Sequence, residues 1–400
     1  MSTKGQVREH GRAKDRVIIR QLPTGVPGLD EILGGGLPEF SFNIIAGAPG
    51  CGKTTLAHQF MFANATPERP ALYFTVLGEP AIKMLRYQQQ FSFFDQGKLE
   101  GAIRFVNLNQ VVLEQDLGAV LDAIIKEVEA SKASIVVVDS FRTVVRKAVN
   151  NTTEVELQGF VQRLALHLTS WQATTFLIGE YVEGELRDNP VFTVADGLFW
   201  LFQSVERNSI VRKMQVMKLR GQESVPGLHT FRITSDGLQT FPRTFGLSER
   251  TAHVKGGRRI STGAPTLDAL LGGGIPEGDS LLMAGPSGSG KSTIGMQFIA
   301  EGLKRGEPGI AAVFEELPAE YVQRAAMFGI DFTGPVKDGT LDILYLRPLD
   351  LSVDETVHEI INAVNRKKCK RLVIDSLVGF EMALAPGFRA DFRELSLIHI

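Results

Sequence analysis

The sequence predicts an α/β fold present as two tandem copies, each a mostly parallel central sheet flanked by helices, with β-hairpin additions after the parallel strands. Three observations carry this prediction. A phosphate-binding signature, Gly47-Ala-Pro-Gly50-Cys-Gly52-Lys53-Thr54, returns 238 positions later as Gly285-Pro-Ser-Gly288-Ser-Gly290-Lys291-Ser292. The segment leading into each loop repeats at the same offset: Thr24-Gly-Val-Pro-Gly-Leu-Asp30-Glu-Ile-Leu-Gly34-Gly-Gly36-Leu-Pro-Glu39 becomes Thr262-Gly-Ala-Pro-Thr-Leu-Asp268-Ala-Leu-Leu-Gly272-Gly-Gly274-Ile-Pro-Glu277. Within each copy, apolar β-branched runs alternate with helical patterns, which is the signature of a parallel sheet wrapped by helices. A repeat this long implies two complete domains rather than a solenoid of small units.

The elements follow in order. Residues 1–17 form a basic tail in which Lys4, Arg8, Arg12, Lys14 and Arg16 outnumber Glu9 and Asp15, expected to be a solvated arm. The first domain spans 18–247. Its strands are expected near 42–47, 71–77, 102–107, 134–139 and 174–180, with further strands at 199–203, 210–219 and 230–240 joined as hairpins. The polar stretch 248–259 reads as a linker, and the second domain runs over 260–400. Each loop is preceded by a short apolar strand, Phe42–Ala46 and Leu281–Ala284. Each is followed by an apolar-periodic helix, through Leu56, Phe60 and Phe62 or through Ile294, Met296 and Phe298.

This context gives the loops their chemistry. Gly47, Gly50 and Gly52, and likewise Gly285, Gly288 and Gly290, let backbone N–H groups turn inward around phosphates. Lys53 and Lys291 reach the terminal phosphates. Thr54 and Ser292 offer hydroxyls to Mg²⁺ at a helix start, followed by Thr55 and Thr293 in the same helical turn. A second element follows each loop, Ile135-Val-Val-Val-Asp139-Ser140 and Leu372-Val-Ile-Asp375-Ser376. An apolar strand ending in aspartate delivers a carboxylate to the carboxyl edge of the sheet, where it can hold Mg²⁺ through water. Lysine and aspartate lie 86 residues apart in the first copy (Lys53, Asp139) and 84 in the second (Lys291, Asp375).

With these residues in place, the chain from about residue 18 resembles the KaiC-like ATPases, a double-domain branch of the RecA-like P-loop proteins. The resemblance rests on the loops, the lead-in segment, the Asp-Ser pairs, Lys218-Leu-Arg220-Gly221 and the run Thr230–Pro242. It implies ATP and Mg²⁺ as ligands and homo-hexameric rings with nucleotide between neighbouring subunits. It also implies ATP hydrolysis and, in some members, phosphorylation of the protein's own Ser and Thr residues. On a strand, Lys218 and Arg220 project to one face, so two cations can point at one anion; the resemblance gives them the role of reaching the neighbour's triphosphate in trans. It also matches Glu315 and Glu316 to the family's paired glutamates, with Glu315 as the base that positions water. In the first copy Leu77 and Gly78 stand at those positions, and leucine cannot accept a proton. The expectation is slow hydrolysis in the first copy, with Glu180 as a substitute carboxylate or a surface residue.

Composition narrows the alternatives. The 400 residues carry a net charge of −2, which argues against a protein that coats nucleic acid. Stacking aromatics interleaved with basic residues, which a DNA-dependent ATPase of this fold would want, are not seen. Two cysteines make no disulfide framework, and the polar N-terminus has no secretion-signal core, so the cytoplasm is the expected compartment. No apolar run approaches membrane-spanning length. Cys51, inside the first loop, reads as a small filler or a redox-sensitive thiol. The second copy has 25 residues beyond Asp375, against about 110 beyond Asp139 in the first, so the expectation is an incomplete second domain without its own Lys-x-Arg element. Three readings remain: a ring-forming ATPase with Ser/Thr autokinase activity and signalling partners, a DNA-dependent ATPase, and a nucleotide-gated scaffold that does not hydrolyse.

Overall fold

A computed structural model describes residues 19–76, 81–114, 116–144, 154–182, 184, 189–206, 209–243, 257–346 and 352–383. The first copy contains strands β1 (Gln21–Leu22), β2 (Leu37–Pro38), β3 (Phe42–Gly47), β4 (Ala71–Thr75), β5 (Ile103–Asn107), β6 (Ile135–Asp139), β7 (Thr174–Glu180), β8 (Gly197–Glu206), β9 (Ser209–Leu219), β10 (Leu228–Thr234) and β11 (Gly237–Phe241). Its principal helices are α1 (Leu29–Ile32), α2 (Lys53–Asn64), α3 (Ala81–Gln88), α4 (Asn109–Glu114), α5 (Leu117–Ser131), α6 (Glu154–Ser170) and α7 (Pro190–Val194). Nine strands join in the order β11-β10-β9-β8-β3-β7-β6-β4-β5. Pairing from β8 through β5 is parallel. The expected strand at 230–240 is two strands, because Ser235-Asp236-Gly237 makes a turn with Gly237 at φ 97°.

Alternation along the strands builds a layer on each face. Phe42, Ile44, Leu72, Phe74, Val136, Val138 and Leu177 pack with Ile124 and Val128 of α5 and Phe160 and Leu164 of α6. Ile45, Tyr73, Ile135, Val137, Phe176 and Ile178 pack with Leu56, Phe60 and Met61 of α2. The four strands β3, β4, β6 and β7 are therefore buried on both sides, which is why they read as unbroken apolar runs. Register then sets the functional edge: Gly47 lies opposite Glu180, Asp139 opposite Thr75, and Asp139 opposite Ile178.

The repeated lead-in segment is a folding device. Thr24 donates from both its backbone N–H (2.8 Å) and its hydroxyl (2.6 Å) to Asp30 Oδ1. Thr262 does the same to Asp268 Oδ1 at 2.7 and 2.6 Å. The Gly-Gly-Gly runs that follow all have positive φ, at Gly34–Gly36 and Gly272–Gly274, a conformation that glycine adopts without the Cβ penalty. They turn the chain back so that β2 pairs with β1, and, in the second copy, β13 (Ile275–Pro276) pairs with β12 (Arg259–Ile260).

The second copy carries helices α8 (Pro265–Leu270), α9 (Lys291–Lys304), α10 (Pro318–Met327), α11 (Thr333–Asp338), α12 (Val353–Lys367) and α13 (Leu377–Ala383). Its parallel sheet has the order β15-β14-β16, formed by Leu341–Tyr345, Gly309–Val313 and Arg371–Asp375. This reproduces β5-β4-β6. The expected strand at Leu281–Ala284 does not form, and Leu281 and Leu282 are exposed. Its counterpart β3 is hydrogen-bonded on both sides, to β7 and β8, whereas among the described residues no strand pairs with 281–284. A strand without a partner has no ladder to join.

Arg371 replaces the buried Ile135 of the first copy and ties this smaller core together. Its Nε lies 2.7 Å from Glu307 Oε2, and Nη1 donates to the carbonyls of Ser261 (2.7 Å) and Phe298 (2.9 Å). Gly302 makes the room, since a Cβ there would stand 2.3 Å from Arg371 Cδ. Removing one partner of a buried ion pair leaves the other uncompensated. Arg371→Met is therefore expected to cost the second unit about 3 kcal/mol. Both tryptophans lie in the first copy, so the readout is hydrogen exchange of the β14 and β16 amides; unchanged protection contradicts the assignment.

Candidate nucleotide sites

The first loop joins β3 to α2 at the carboxyl edge of the sheet. Gly47 is required sterically, because a Cβ there would meet the Leu201 carbonyl oxygen at 2.1 Å. Gly52 precedes α2 in a left-handed conformation, φ 102°, and no side chain caps the helix. The first amides of α2 are thus left for an anion, with the helix dipole behind them. Lys53 is buried, and its Nζ donates to the carbonyls of Gly47 (3.0 Å) and Ala48 (2.8 Å). Thr54 Oγ1 donates to Asp139 Oδ2 at 2.7 Å. Thr55 lies half-buried in the same helical turn. Cys51 is fully buried 3.8 Å from Lys53 Nζ, and burial raises its thiol's pKa, so it is the filler rather than a reactive thiolate.

Behind the loop stands a polar cluster that motif reading did not find. Tyr73, buried on β4, donates its hydroxyl to Asp139 Oδ2 at 2.5 Å. Burial and the adjacent Asp139 push the phenol well above its ordinary pKa, so it keeps its proton and acts as donor. His58 of α2 stacks on Tyr73 with ring centroids 4.5 Å apart and planes 9° from parallel. His58 is fully buried, and burial lowers its pKa to about 3 against the opposing pull of the Thr54 backbone. Burial also raises the Asp139 carboxyl, against the opposing pull of the Tyr73 and Thr54 hydrogen bonds and of Lys53.

The second loop repeats this geometry in a more open setting. Gly288 and Gly290 have φ 77° and 88°, and Gly290 precedes α9 without a side-chain cap. At Gly285 a Cβ would meet Ser289 Oγ at 2.9 Å. Lys291 Nζ donates to the carbonyls of Gly285 and Pro286, both at 2.8 Å. Ser292 Oγ donates to Asp375 Oδ1 at 3.1 Å, with Thr293 half-buried beside it. The other carboxylate oxygen, Oδ2, lies 3.3 Å from Arg324, which also pairs with Glu316. Burial raises the Glu316 carboxyl, and Arg324 opposes this. Glu315, two residues beyond β14, is exposed, with its carboxylate against Gly379 of α13.

Comparison with known proteins matches this arrangement. A family model described as "ATPase: KaiC" covers residues 22–244 and 260–398. The chain belongs to the KaiC ATPase family. It is 31% identical over 382 residues to the circadian clock oscillator protein KaiC of Rippkaea orientalis, covering 92% of this chain and 71% of that one. It is 30% identical to KaiC of Picosynechococcus and 30% identical to KaiC 1 of Synechocystis, again over 92% of this chain, and over 72% and 71% of theirs. The parallel sheet flanked by helices is the fold expected of this family.

Other predicted residues fall elsewhere. Lys218, in β9, donates to the Thr193 carbonyl at 3.0 Å, and Arg220 pairs with Asp196 at 3.2 Å. Neither reaches the loop or Asp139 of its own chain. Partial burial and the neighbouring Arg220 lower the Lys218 ammonium below its ordinary value. Leu77, Gly78 and Glu79 lie outside the described residues, as do 1–18 and most of the linker. Glu180 ends β7 beside Gly47, and its side chain is exposed. Among the described residues no helix is long and apolar enough to cross a membrane.

The donor set fits Mg²⁺ bound together with phosphates. Each site offers one hydroxyl and one carboxylate, both hard oxygen ligands, and the described residues contain no group of three or more His, Cys, Asp or Glu able to form a protein cage. Mg²⁺ characteristically takes one or two carboxylates, waters and substrate phosphates.

Tyr73, His58 and Arg324 were legible only by laying the KaiC repeats on one another. Tyr73 aligns with Ala311 and His58 with Met296, so a polar aromatic pair stands where the second copy has two apolar side chains. The lowered pKa of His58 gives a pH signature. Its contribution to stability is complete above pH 6.5 and is lost as pH falls toward 3, because the unfolded chain takes the proton first. From about pH 7.5 to about pH 5 the first unit should lose roughly 2 kcal/mol through this group. His58→Met should remove that portion of the slope, measured by urea unfolding followed through Trp200; an equal slope in the variant contradicts it.

Proposed function

We propose that the chain binds Mg²⁺-ATP at both loops and hydrolyses it mainly in the second, within a homo-hexameric ring in which Lys218 and Arg220 reach the neighbour's triphosphate. The observation that carries this is the repeated pairing of a loop hydroxyl with a strand-end carboxylate, at 2.7 and 3.1 Å, beside an uncapped helix start. The domains of this reading are 18–247 and 260–400, joined by a linker at 248–259. The protein works in the cytoplasm with protein signalling partners. The relatives' names support a role in circadian-type timing, and Ser/Thr autokinase activity follows from the resemblance.

In each site the loop amides and Lys53 or Lys291 bind the β- and γ-phosphates, exchanging the lysine's bonds to loop carbonyls for stronger ones to phosphate. Thr54 with Asp139, and Ser292 with Asp375, would hold Mg²⁺. The ion supplies charge neutralisation of the phosphates. Glu315 orients a water and accepts its proton as the water oxygen bonds to the γ-phosphorus and the bond to the β–γ bridging oxygen breaks, giving ADP and phosphate. Among the described residues Glu315 has no ion pair, whereas Glu316 is held by Arg324. This difference favours Glu315 as the base. At the first site, Arg220 of the neighbour would stabilise transition-state charge.

Release of labelled phosphate from [γ-³²P]ATP tests the reading. Glu315→Gln should lower kcat by about 100-fold or more while nucleotide binding persists; turnover within twofold of the parent removes Glu315 from the role. In a Lys291→Ala background, where only the first site turns over, Arg220→Ala should lower turnover per subunit in rings sized by light scattering. Unchanged turnover in assembled rings excludes the trans role. Label retained on the protein reports autokinase activity.

A further inference from the structure

The two sites hold their metal-side carboxylates by different means. In the first, two neutral hydroxyls, from Tyr73 and Thr54, both donate to Asp139 Oδ2, at 2.5 and 2.7 Å. Neither bond uses Oδ1. Two donors on one oxygen fix the carboxylate's rotation, and neither donor carries a positive charge. The Tyr73 ring packs against both His58, at 4.5 Å, and Phe105, at 5.3 Å. His58 supplies a stacking contact to that ring, its plane 9° from parallel.

In the second copy Ala311, Met296 and Ile343 stand at these three positions, and none can donate to Asp375. Arg324 is there instead, 3.3 Å from Asp375 Oδ2 and paired with Glu316. A guanidinium neutralises the carboxylate that a divalent ion would use, so an arriving cation must compete with it. A phenol imposes no such competition.

We propose that Tyr73 is a positioning residue of the first nucleotide site, holding Asp139 ready for a divalent cation, so that the first site retains Mg²⁺ at lower concentration than the second. The inference rests on the reading that both loops take Mg²⁺-ATP. Hydrogen-bond partners of metal ligands typically change metal affinity by about 10–100-fold when removed. Tyr73→Phe deletes only the hydroxyl and keeps the stack.

The test uses the full chain carrying Lys291→Ala, so that only the first loop takes up a fluorescent N-methylanthraniloyl ATP, titrated with Mg²⁺. Tyr73→Phe in this background should raise the Mg²⁺ midpoint for nucleotide retention about tenfold, with affinity in EDTA unchanged. An unshifted midpoint overturns the proposal, as does an equal loss of affinity in EDTA, which would mark Tyr73 as structural. A second comparison needs no change at Tyr73: the Lys291→Ala chain should show a lower Mg²⁺ midpoint than the Lys53→Ala chain, and equal midpoints overturn the inequality. If the Lys291→Ala parent takes up nucleotide in neither condition, the proposal falls together with the nucleotide reading, and the fault lies in that reading.

Discussion

The hydrogen bond between a helix-start hydroxyl and a strand-end aspartate, Thr54 to Asp139 and Ser292 to Asp375, is the constraint around which both copies are built. It joins the loop leaving one strand to the end of another strand that the chain reaches more than 80 residues later. Only a parallel sheet brings two carboxyl ends to one edge in this way, and a parallel sheet needs both faces covered. The alternation of Ile44 with Ile45 and of Val136 with Val137, one toward α5 and α6 and the other toward α2, meets that requirement. The glycines follow from the same constraint: Gly47 passes against the Leu201 carbonyl, and Gly52 turns the chain into a helix whose amides remain open.

Duplication preserved this edge but not its surroundings. The first loop grows from a strand hydrogen-bonded on both sides, and Lys53 is buried. The second loop grows from a segment outside any sheet, with Leu281 and Leu282 exposed. Even so, Lys291 folds onto its loop carbonyls as Lys53 does, and Ser292 finds Asp375. The loop-and-helix unit together with β14 and β16 is therefore enough to assemble the hydroxyl–carboxylate pair. The lead-in clasps of Thr24 with Asp30 and Thr262 with Asp268 are equally local, lying six residues apart.

What differs between the copies is electrostatic. The buried Asp139 is met by neutral donors and Asp375 by a guanidinium. Charge in a poorly solvated pocket is expensive unless paired, and each copy has solved that problem with different residues from different elements, Tyr73 on β4 and Arg324 on α10. The buried His58 beside this pocket lies flat on Tyr73, a contact that a neutral ring makes well.

Much was legible in the chain itself. The loops, the strand-end aspartates and the alternation of strands with helices depend on local spacing and on apolar periodicity, which a sequence displays directly, and the five parallel strands β3 to β7 fall within two residues of their expected positions at either end. The turn at Ser235-Asp-Gly237 was also written there, although the run around it read as a single strand. Three things were decided by tertiary structure alone. Whether Leu281–Ala284 is a strand depends on neighbours far away in sequence, since a ladder needs a partner. Whether Tyr73 and His58 are mere core or part of a site depends on which strand end they face. Whether Arg371 can be buried depends on carbonyls at Ser261 and Phe298 and a carboxylate at Glu307, brought together by folding. Local propensity and periodicity are properties of neighbours in the chain, whereas pairing, burial and charge compensation are properties of neighbours in space.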